Sequence, residues 1–270
     1  MAGKVVTITS GKGGVGKTTV TGNLAVALAR LGERVVCLDL DIGLRNLDLV
    51  LGLENRIVYD IVDVIEGRVR LRQALVKDKR LEGLHLLPAA QWREKHAINA
   101  LQVTRVCRDL CAEFDLVLID SPAGIEIGFR NAIAPADQVI VVVTPEVSSI
   151  RDADRVIELL AEAGKPAPRL IINRARSAMM KKGDMLDIPD VLEILRIQLL
   201  GIIPEDQHVI ANTNMGTPTV LAGSSAAAVA FMQVARRLRG EVIPMTPQDP
   251  RNWLSRLTSF GDHPKKNGND

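Results

Sequence analysis

The residues with the clearest chemistry lie near the start of the chain, in a glycine-rich stretch that carries two lysines. Residues 11–18 read GKGGVGKT and fit the spacing G-x-x-x-x-G-K-[ST], directly after a strand-like run and directly before a helical pattern. Glycines let the backbone curl so that its N–H groups surround phosphate oxygens. The N-terminus of a helix also favours a bound phosphate. Lys17 is placed to reach the β- and γ-phosphates, and the Thr18 hydroxyl to bind Mg²⁺. The stretch predicts a nucleotide-phosphate site formed by Gly11, Lys12, Gly13, Gly14, Val15, Gly16, Lys17, Thr18 and Thr19.

Three aspartates stand where buried strands are predicted to end. Asp39 and Asp41 share one face because side chains alternate along a strand, and Asp120 ends the apolar run Phe114–Asp120. At the carboxyl edge of a parallel sheet these carboxylates would lie beside the phosphate loop. We interpret Asp41 as the residue that orients the attacking water, and Asp39 and Asp120 as support for Mg²⁺, the latter through water or Thr18. Gly124, after Asp120, can let its N–H approach the γ-phosphate. For Asp39 and Asp41 the alternative is that they are ordinary strand-end acids.

The elements that position these residues alternate between strands and helices. Short β-branched runs that are apolar on both faces indicate buried parallel strands, with longer helical patterns between them. Such alternation predicts an α/β fold, a mostly parallel sheet with helices on both faces, as a single domain over residues 1–240. The predicted strands are Val5–Ile8, Val35–Leu40, Leu84–Pro88, Phe114–Asp120, Gln138–Thr144, Arg169–Asn173 and Leu199–Pro204. The predicted helices are Lys17–Leu31, Ile98–Glu113, Ser149–Ala163 and Ala226–Arg239.

Composition excludes several other classes of protein. The 270 residues are 47% hydrophobic and 24% charged, which is typical of a globular chain rather than a disordered one. The net charge is only +2, and it lies in residues 251–270, so a strongly basic nucleic-acid binder is disfavoured. No apolar run reaches the roughly 20 residues of a spanning helix, and the N-terminus lacks a signal-peptide pattern. A cytoplasmic protein is therefore expected.

The three cysteines do not indicate a disulfide scaffold. Cys107 and Cys111 lie four residues apart on a predicted helix and could share a metal, but core packing in a reducing compartment is the favoured interpretation for both and for Cys37.

The stretch KGGVGKTT at residues 12–19 resembles the deviant Walker A signature of the MinD/ParA family of P-loop ATPases. Besides Lys17, the stretch carries an additional lysine, Lys12, which an ordinary phosphate loop does not need. Further stretches spread through residues 5–239 resemble the septum site-determining branch of that family, among them DIGLRNLDLVLGLENRIVYDIVDVIEG, DSPAGIE, PEVSSIRDADR and GIIPEDQ.

The resemblance implies a cell-division switch that binds ATP and Mg²⁺. In that family ATP closes a homodimer in which Lys12 would reach the partner subunit's nucleotide, so Lys12, Lys17, Asp41 and Asp120 are the expected catalytic residues. Asn173 and the backbone at Pro204 would recognise adenine. The implied partners are a MinC-like division inhibitor, a MinE-like activator or a substitute, and an anionic membrane surface, with no specific nucleic acid. The implied partner surface holds Arg45, Asn46, Asp152 and Asp154, for which a solvated face with charge pairs is the alternative.

A short amphipathic pattern near the end of the chain predicts membrane contact. Residues 241–249 are rich in proline and predict a linker, residues 250–260 a helix, and residues 261–270 a disordered tail. On a helical wheel four apolar residues of 250–260 share an arc of roughly 120°, and two arginines flank it. An interfacial helix has this composition, and docking on the protein's own core is the alternative. The predicted membrane residues are Arg251, Trp253, Leu254, Arg256, Leu257 and Phe260.

Four other functions are alternatives to this one. A DNA- or cargo-partition ATPase needs a basic patch, for which Arg174, Arg176, Lys181 and Lys182 are the candidates. A flagellar-number regulator shares the membrane tail but usually has an N-terminal segment. An iron–sulfur reductase needs paired cysteines on a dimer face. A non-hydrolysing scaffold would not need the full set of Lys17, Thr18, Asp41 and Asp120.

Overall fold

The fold is an eight-stranded sheet with helices on both faces, seen in a computed structural model that describes residues 3–93 and 97–245. The strand order is β3-β4-β2-β5-β1-β6-β7-β8. All neighbouring pairs are parallel except β3 and β4, which pair antiparallel at one edge. The strands are β1 Lys4–Thr9, β2 Val35–Asp39, β3 Val76–Lys77, β4 Leu84–Leu87, β5 Leu116–Asp120, β6 Gln138–Val143, β7 Arg169–Ala175 and β8 Gln198–Pro204.

Helices connect the parallel strands and cover the sheet. They are α1 Lys17–Arg30, α2 Leu47–Leu51, α3 Ile61–Ile65, α4 Leu71–Ala74, α5 Ala100–Cys111, α6 Ile127–Ile133, α7 Val147–Glu162, α8 Ser177–Lys182, α9 Ile188–Leu195, α10 Gln207–Asn214, α11 Thr219–Ala222 and α12 Ala226–Leu238, with a 3₁₀ turn at Glu54–Arg56.

Alternation along the strands divides the apolar core between the two faces of the sheet. In β1, Val6 and Ile8 join the core under α1 and α12, whereas Val5 joins the core under α5. A third cluster under α7 and α9 covers β6 and β7. Because the side-chain period of a strand is two, Asp39 and Asp120 point to the same face as α1. The hydrophobic pattern thereby sets which carboxylates face the phosphate loop.

The predicted architecture and its main elements are confirmed. All seven predicted strands and all four predicted helices are present, with ends shifted by one or two residues. The short edge strand β3 and the short helices between the main elements were not predicted, because elements of two to eight residues hold too little periodicity to identify. Cys37 and Cys107 are buried in the core, as expected, and Cys111 is partly exposed.

Contacts of the domain continue past residue 240. The guanidinium of Arg237 donates to the carbonyl oxygens of Ile243 and Pro244 at 2.9 and 2.7 Å. The division at residue 240 therefore stays a prediction, and the predicted membrane helix and tail, residues 250–270, lie outside the described residues. Within the described ranges, no helix has the length and apolar character needed to cross a bilayer.

Candidate nucleotide-binding site

The phosphate loop joins β1 to α1 at the carboxyl edge of the sheet. Gly14 and Gly16 have φ angles of 81° and 88°, in the left-handed region that glycine tolerates best. Helix α1 begins at Lys17, directly after this turn. The loop thus joins left-handed glycines directly to the N-terminus of a helix, which is an arrangement that favours phosphate binding.

A buried ion pair joins the loop to β5. Lys17 Nζ lies 2.9 Å from Asp120 Oδ1, and the two side chains are 7% and 1% exposed. The Thr21 hydroxyl, one turn further along α1, lies 3.2 Å from the same carboxylate oxygen and 3.0 Å from the Lys17 carbonyl. The role of Thr18 at Mg²⁺ stays a prediction. The sequence did not identify Thr21 as a residue that contacts Asp120. The i, i+4 spacing from Lys17 is the signal that could have found it.

Asp39 lies beside Asp120 in the sheet register and is 1% exposed. Its carboxylate accepts hydrogen bonds from the backbone N–H groups of Asp41 and Leu47 at 2.9 and 3.2 Å. Burial, and then the negative charge of Asp120, raise the pKa of Asp39 to about 7. Two carboxylates and one lysine are therefore buried together in this site.

These residues fit a divalent cation. The buried Oδ2 atom of Asp120 has no hydrogen-bond partner among the described residues. When Asp39 is ionised, two buried carboxylates against one ammonium leave a net negative charge, which a hard cation with oxygen ligands offsets. Thr18, Asp39 and Asp120, with waters, are the residues that would hold Mg²⁺. Bound there with the nucleotide, the ion would offset charge that develops on the phosphates.

Lys12 lies on the rim of the site and reaches α7. Its Nζ donates to the Ser148 hydroxyl at 2.8 Å and lies 3.7 Å from Glu146 Oε2, and the lysine side chain is 42% exposed. Next to it, Gly11 packs against the first turns of α7, because a Cβ on Gly11 would lie 2.3 Å from the backbone oxygen of Asp152. The phosphate loop and the start of α7 are therefore in direct contact.

Comparison with known proteins identifies the family. The protein-family model of the CobQ/CobB/MinD/ParA nucleotide-binding domain matches residues 6–219. The septum site-determining protein MinD of Bacillus subtilis is 50% identical over 262 residues, which cover 96% of this chain and 98% of that protein. This chain belongs to the MinD family.

Solved MinD structures share the fold. The chain matches MinD in the MinC:MinD cell division complex of Aquifex aeolicus with a TM-score of 0.85 and 50% identity, over 90% of this chain and 98% of that one. It matches Pyrococcus horikoshii MinD, solved with Mg-ADP, with a TM-score of 0.79 and 32% identity, over 87% and 95% of the two chains. The ATPase family inferred from the sequence, with its P-loop fold and nucleotide-binding domain, is confirmed.

The residues that the MinD resemblance assigns to adenine lie on neighbouring strands. Asn173, 6% exposed, is in β7, and Pro204 ends β8 beside Ala175. The Asn173 amide donates to the carbonyl oxygen of Val15 at 2.8 Å, so it also supports the phosphate loop. A Cβ on Gly16 would lie 2.4 Å from that amide nitrogen. Adenine recognition by Asn173 and Pro204 stays a prediction.

The predicted partner residues lie at the same edge of the sheet. Arg45, with a left-handed φ of 47°, holds the buried Asp48 in an ion pair of 2.9 Å, and Asn46 is exposed just before α2. Asp154 is exposed on α7 and Asp152 is partly exposed there. Arg45 thus has a structural role whatever else it binds, and the partner surface stays a prediction.

The raised pKa of Asp39 predicts a pH dependence of folding. The folded state holds this proton up to about pH 7, whereas an unfolded aspartate loses it near pH 4, so the contribution of Asp39 to the free energy of unfolding falls as pH rises through this window. We expect Asp39→Asn to remove that part of the slope when urea unfolding is followed from about pH 5 to 8 with a chelator. The exposed Asp154→Asn is the control. Equal slopes for wild type and Asp39→Asn would contradict the prediction.

The contact between Gly11 and α7 predicts a selective effect of added bulk. Gly11→Ala forces the loop away from the Asp152 backbone, and we expect it to lower the free energy of unfolding by about 1 to 3 kcal/mol. Gly13→Ala is the matched control, because its Cβ would meet only Ala123 at 3.9 Å. Denaturant unfolding without nucleotide measures both variants. Equal losses of unfolding free energy would show that the loop is not packed tightly against α7.

Proposed function

We propose that this protein is an ATP-driven switch in cell division. ATP closes a homodimer, the dimer holds to the anionic membrane through residues 250–260 and recruits a MinC-like division inhibitor, and hydrolysis to ADP and phosphate releases it. A MinE-like activator or a substitute would stimulate the turnover. The proposal places the protein in the cytoplasm and peripherally on the inner face of the cell membrane.

The observation that carries the proposal is the buried set of Lys17, Asp120 and Asp39 directly beneath the phosphate loop. A phosphate-binding turn with acids on the same face of the sheet suits phosphoryl transfer, which needs positioning and charge more than covalent chemistry. In the complete site, Lys17 would turn from Asp120 toward the phosphates, and Asp41 would orient the attacking water. Identity of about 50% to MinD over nearly the whole chain supports the assignment to cell division.

Dimer formation and membrane binding would be linked through avidity. Eleven residues bury little apolar surface, so one tail binds a membrane weakly. Two tails on one dimer bind more tightly, because the second contact is intramolecular. Lys12, whose side chain is 42% exposed on the rim, would cross to a second subunit. Nucleotide state would then control membrane residence.

Vesicle co-sedimentation tests the proposal directly. Purified protein is mixed with anionic vesicles under ATP, ADP and no nucleotide, and the emission of Trp253 is read in a Trp92→Phe background. Trp92 is 90% exposed, so its replacement should not disturb the fold, and it is the other tryptophan of the chain. We expect binding only with ATP, together with a blue shift of Trp253.

The other outcomes would contradict the switch in different ways. Equal binding in all three states would make the tail a constant anchor. Binding in none would favour a DNA-partition function, and duplex DNA should then replace the vesicles. A chain cut after Met245 should still bind nucleotide and should no longer bind the vesicles.

A further inference from the structure

A groove lies at the end of the sheet opposite the phosphate loop. Strands β7 and β8 begin there side by side, with Arg169 opposite Gln198 in the register. Arg237 of α12 and the segment 240–245 form much of the remaining wall of an open groove of about 430 Å³. The groove is thus separate from the nucleotide site.

Arg237 holds the wall of this groove in place. Its side chain is 8% exposed, and its guanidinium donates to the carbonyl oxygens of Leu200, Ile243 and Pro244 at 3.2, 2.9 and 2.7 Å. Carbonyl groups do not neutralise the guanidinium, which stays charged in proteins. These bonds tie Ile243 and Pro244 to α12, and the guanidinium adds a positive charge to the wall.

Arg169, at the start of β7, lies in the groove. Its buried Nε has no hydrogen-bond partner, and its guanidinium forms no ion pair with a carboxylate, among the residues that the structure describes. Burial lowers the pKa of Arg169, and burial together with the charge of Arg169 lowers the pKa of Arg237. Two partly desolvated cations are close enough to repel each other.

The carboxylate that lines the groove is already engaged. Glu241 lies 2.7 Å from Arg236 Nε and 3.8 Å from Arg239 Nη1. Its charge is shared by those two arginines, and it does not pair with Arg169. A bound anion would relieve the repulsion between Arg169 and Arg237 and supply the missing acceptor.

We propose that the groove binds the phosphate of an anionic phospholipid headgroup, with Arg169 as the ligand and Arg237 as the positioning residue. A guanidinium fork suits a phosphate because it can donate two parallel hydrogen bonds. The described chain ends at Met245 on the groove wall, and the predicted membrane helix begins at residue 250. Five residues span at most about 17 Å, so a headgroup beside that helix lies within reach of the groove. The inference rests on the proposed membrane attachment and adds a second contact to it.

Full-length protein with ATP is titrated with phosphatidylcholine vesicles containing about one-third phosphatidylglycerol. We expect Arg169→Gln to weaken binding about fivefold, as expected for one arginine near an anionic surface. Arg169→Lys should weaken binding too, because it keeps the charge and loses the fork. Arg108→Gln, exposed on α5, is the matched control and should bind as wild type. ATP hydrolysis should be unchanged in all three.

A second measurement separates this site from the membrane switch itself. With Mg²⁺ and ADP saturating the phosphate loop, soluble short-chain phosphatidylglycerol should raise the melting temperature of wild type more than that of Arg169→Gln, and inorganic phosphate should do so less. If wild type binds no vesicles but this difference remains, the membrane switch is wrong and the headgroup site stands.

Three results would overturn the headgroup site. If Arg169→Lys binds vesicles as tightly as wild type, the contribution of Arg169 is diffuse charge attraction and not a specific phosphate contact. Inorganic phosphate as effective as the short-chain lipid, with vesicle binding unchanged in Arg169→Gln, would make it a free-anion site. No response of either assay to Arg169→Gln would leave the groove to another occupant, such as an acidic side chain of residues 246–270.

Discussion

Lys17→Gln should lower the free energy of unfolding of the nucleotide-free protein by about 3 to 5 kcal/mol, and Asp120→Asn added to the same chain should restore much of it. Lys17 and Asp120 form an ion pair in which both side chains are buried. Removing the lysine leaves a buried carboxylate without its cation, next to the acid Asp39. Removing both charges relieves that penalty. Urea unfolding of the wild type, the two single variants and the double variant measures the coupling.

Activity should not follow stability in this series. The double variant regains stability yet lacks the lysine for the phosphates, so nucleotide binding and hydrolysis stay lost. Arg155→Gln, which breaks the exposed pair with Glu158, is the control and should leave the unfolding midpoint unchanged. A Lys17→Gln chain as stable as wild type would mean that the buried carboxylate of Asp120 does not need the lysine, and would contradict the prediction.

Lys12→Gln should leave stability unchanged and lower the ATPase rate of the dimer by about a thousandfold, as the loss of an arginine finger does. The contacts of Lys12 with Ser148 and Glu146 are exposed, so the folded chain loses little with them. The proposed dimer would lose a cation near the phosphates, where charge builds up during transfer. A coupled assay of phosphate release measures the rate, with circular dichroism as the check on folding.

A mixing experiment decides whether Lys12 acts on the partner's nucleotide. Asp41→Asn should be inactive alone, because it lacks the residue proposed to orient the water. A mixed dimer of Lys12→Gln and Asp41→Asn holds one complete site if Lys12 works across the interface, and none if it works within its own chain. Equal mixing should then restore about a quarter of the wild-type rate in a two-fold symmetric dimer. No recovery, with mixed dimers present, would exclude the crossing.

The main elements of the fold were predictable because their sequence signals are long or extreme. Runs such as Gln138–Val143 are apolar on both faces, as a strand covered by helices on both sides must be. Helix α7 has sixteen residues, enough to show a periodic apolar face. By contrast, β3 has two residues, and its place at the sheet edge comes from antiparallel pairing with β4, which no local pattern encodes.

The chemistry of the phosphate site was also present in the sequence. Glycine spacing, two lysines and acids at strand ends identified the loop and its neighbours, because each residue type has a definite task there. Lys12 and the longer stretches resemble the MinD/ParA family, and the comparisons confirm that the chain belongs to it.

Tertiary structure alone decided which of these groups touch and what that does to them. The sequence named Asp39 and Asp120, but only the register of β2 with β5 sets them side by side, and only burial raises the pKa of Asp39 to about 7. The bond from Asn173 to Val15, and the lack of a partner for Arg169 Nε within residues 3–93 and 97–245, are likewise invisible along the chain. Pairing, desolvation and the lack of a partner depend on segments distant in sequence, so they arise only when the sheet assembles.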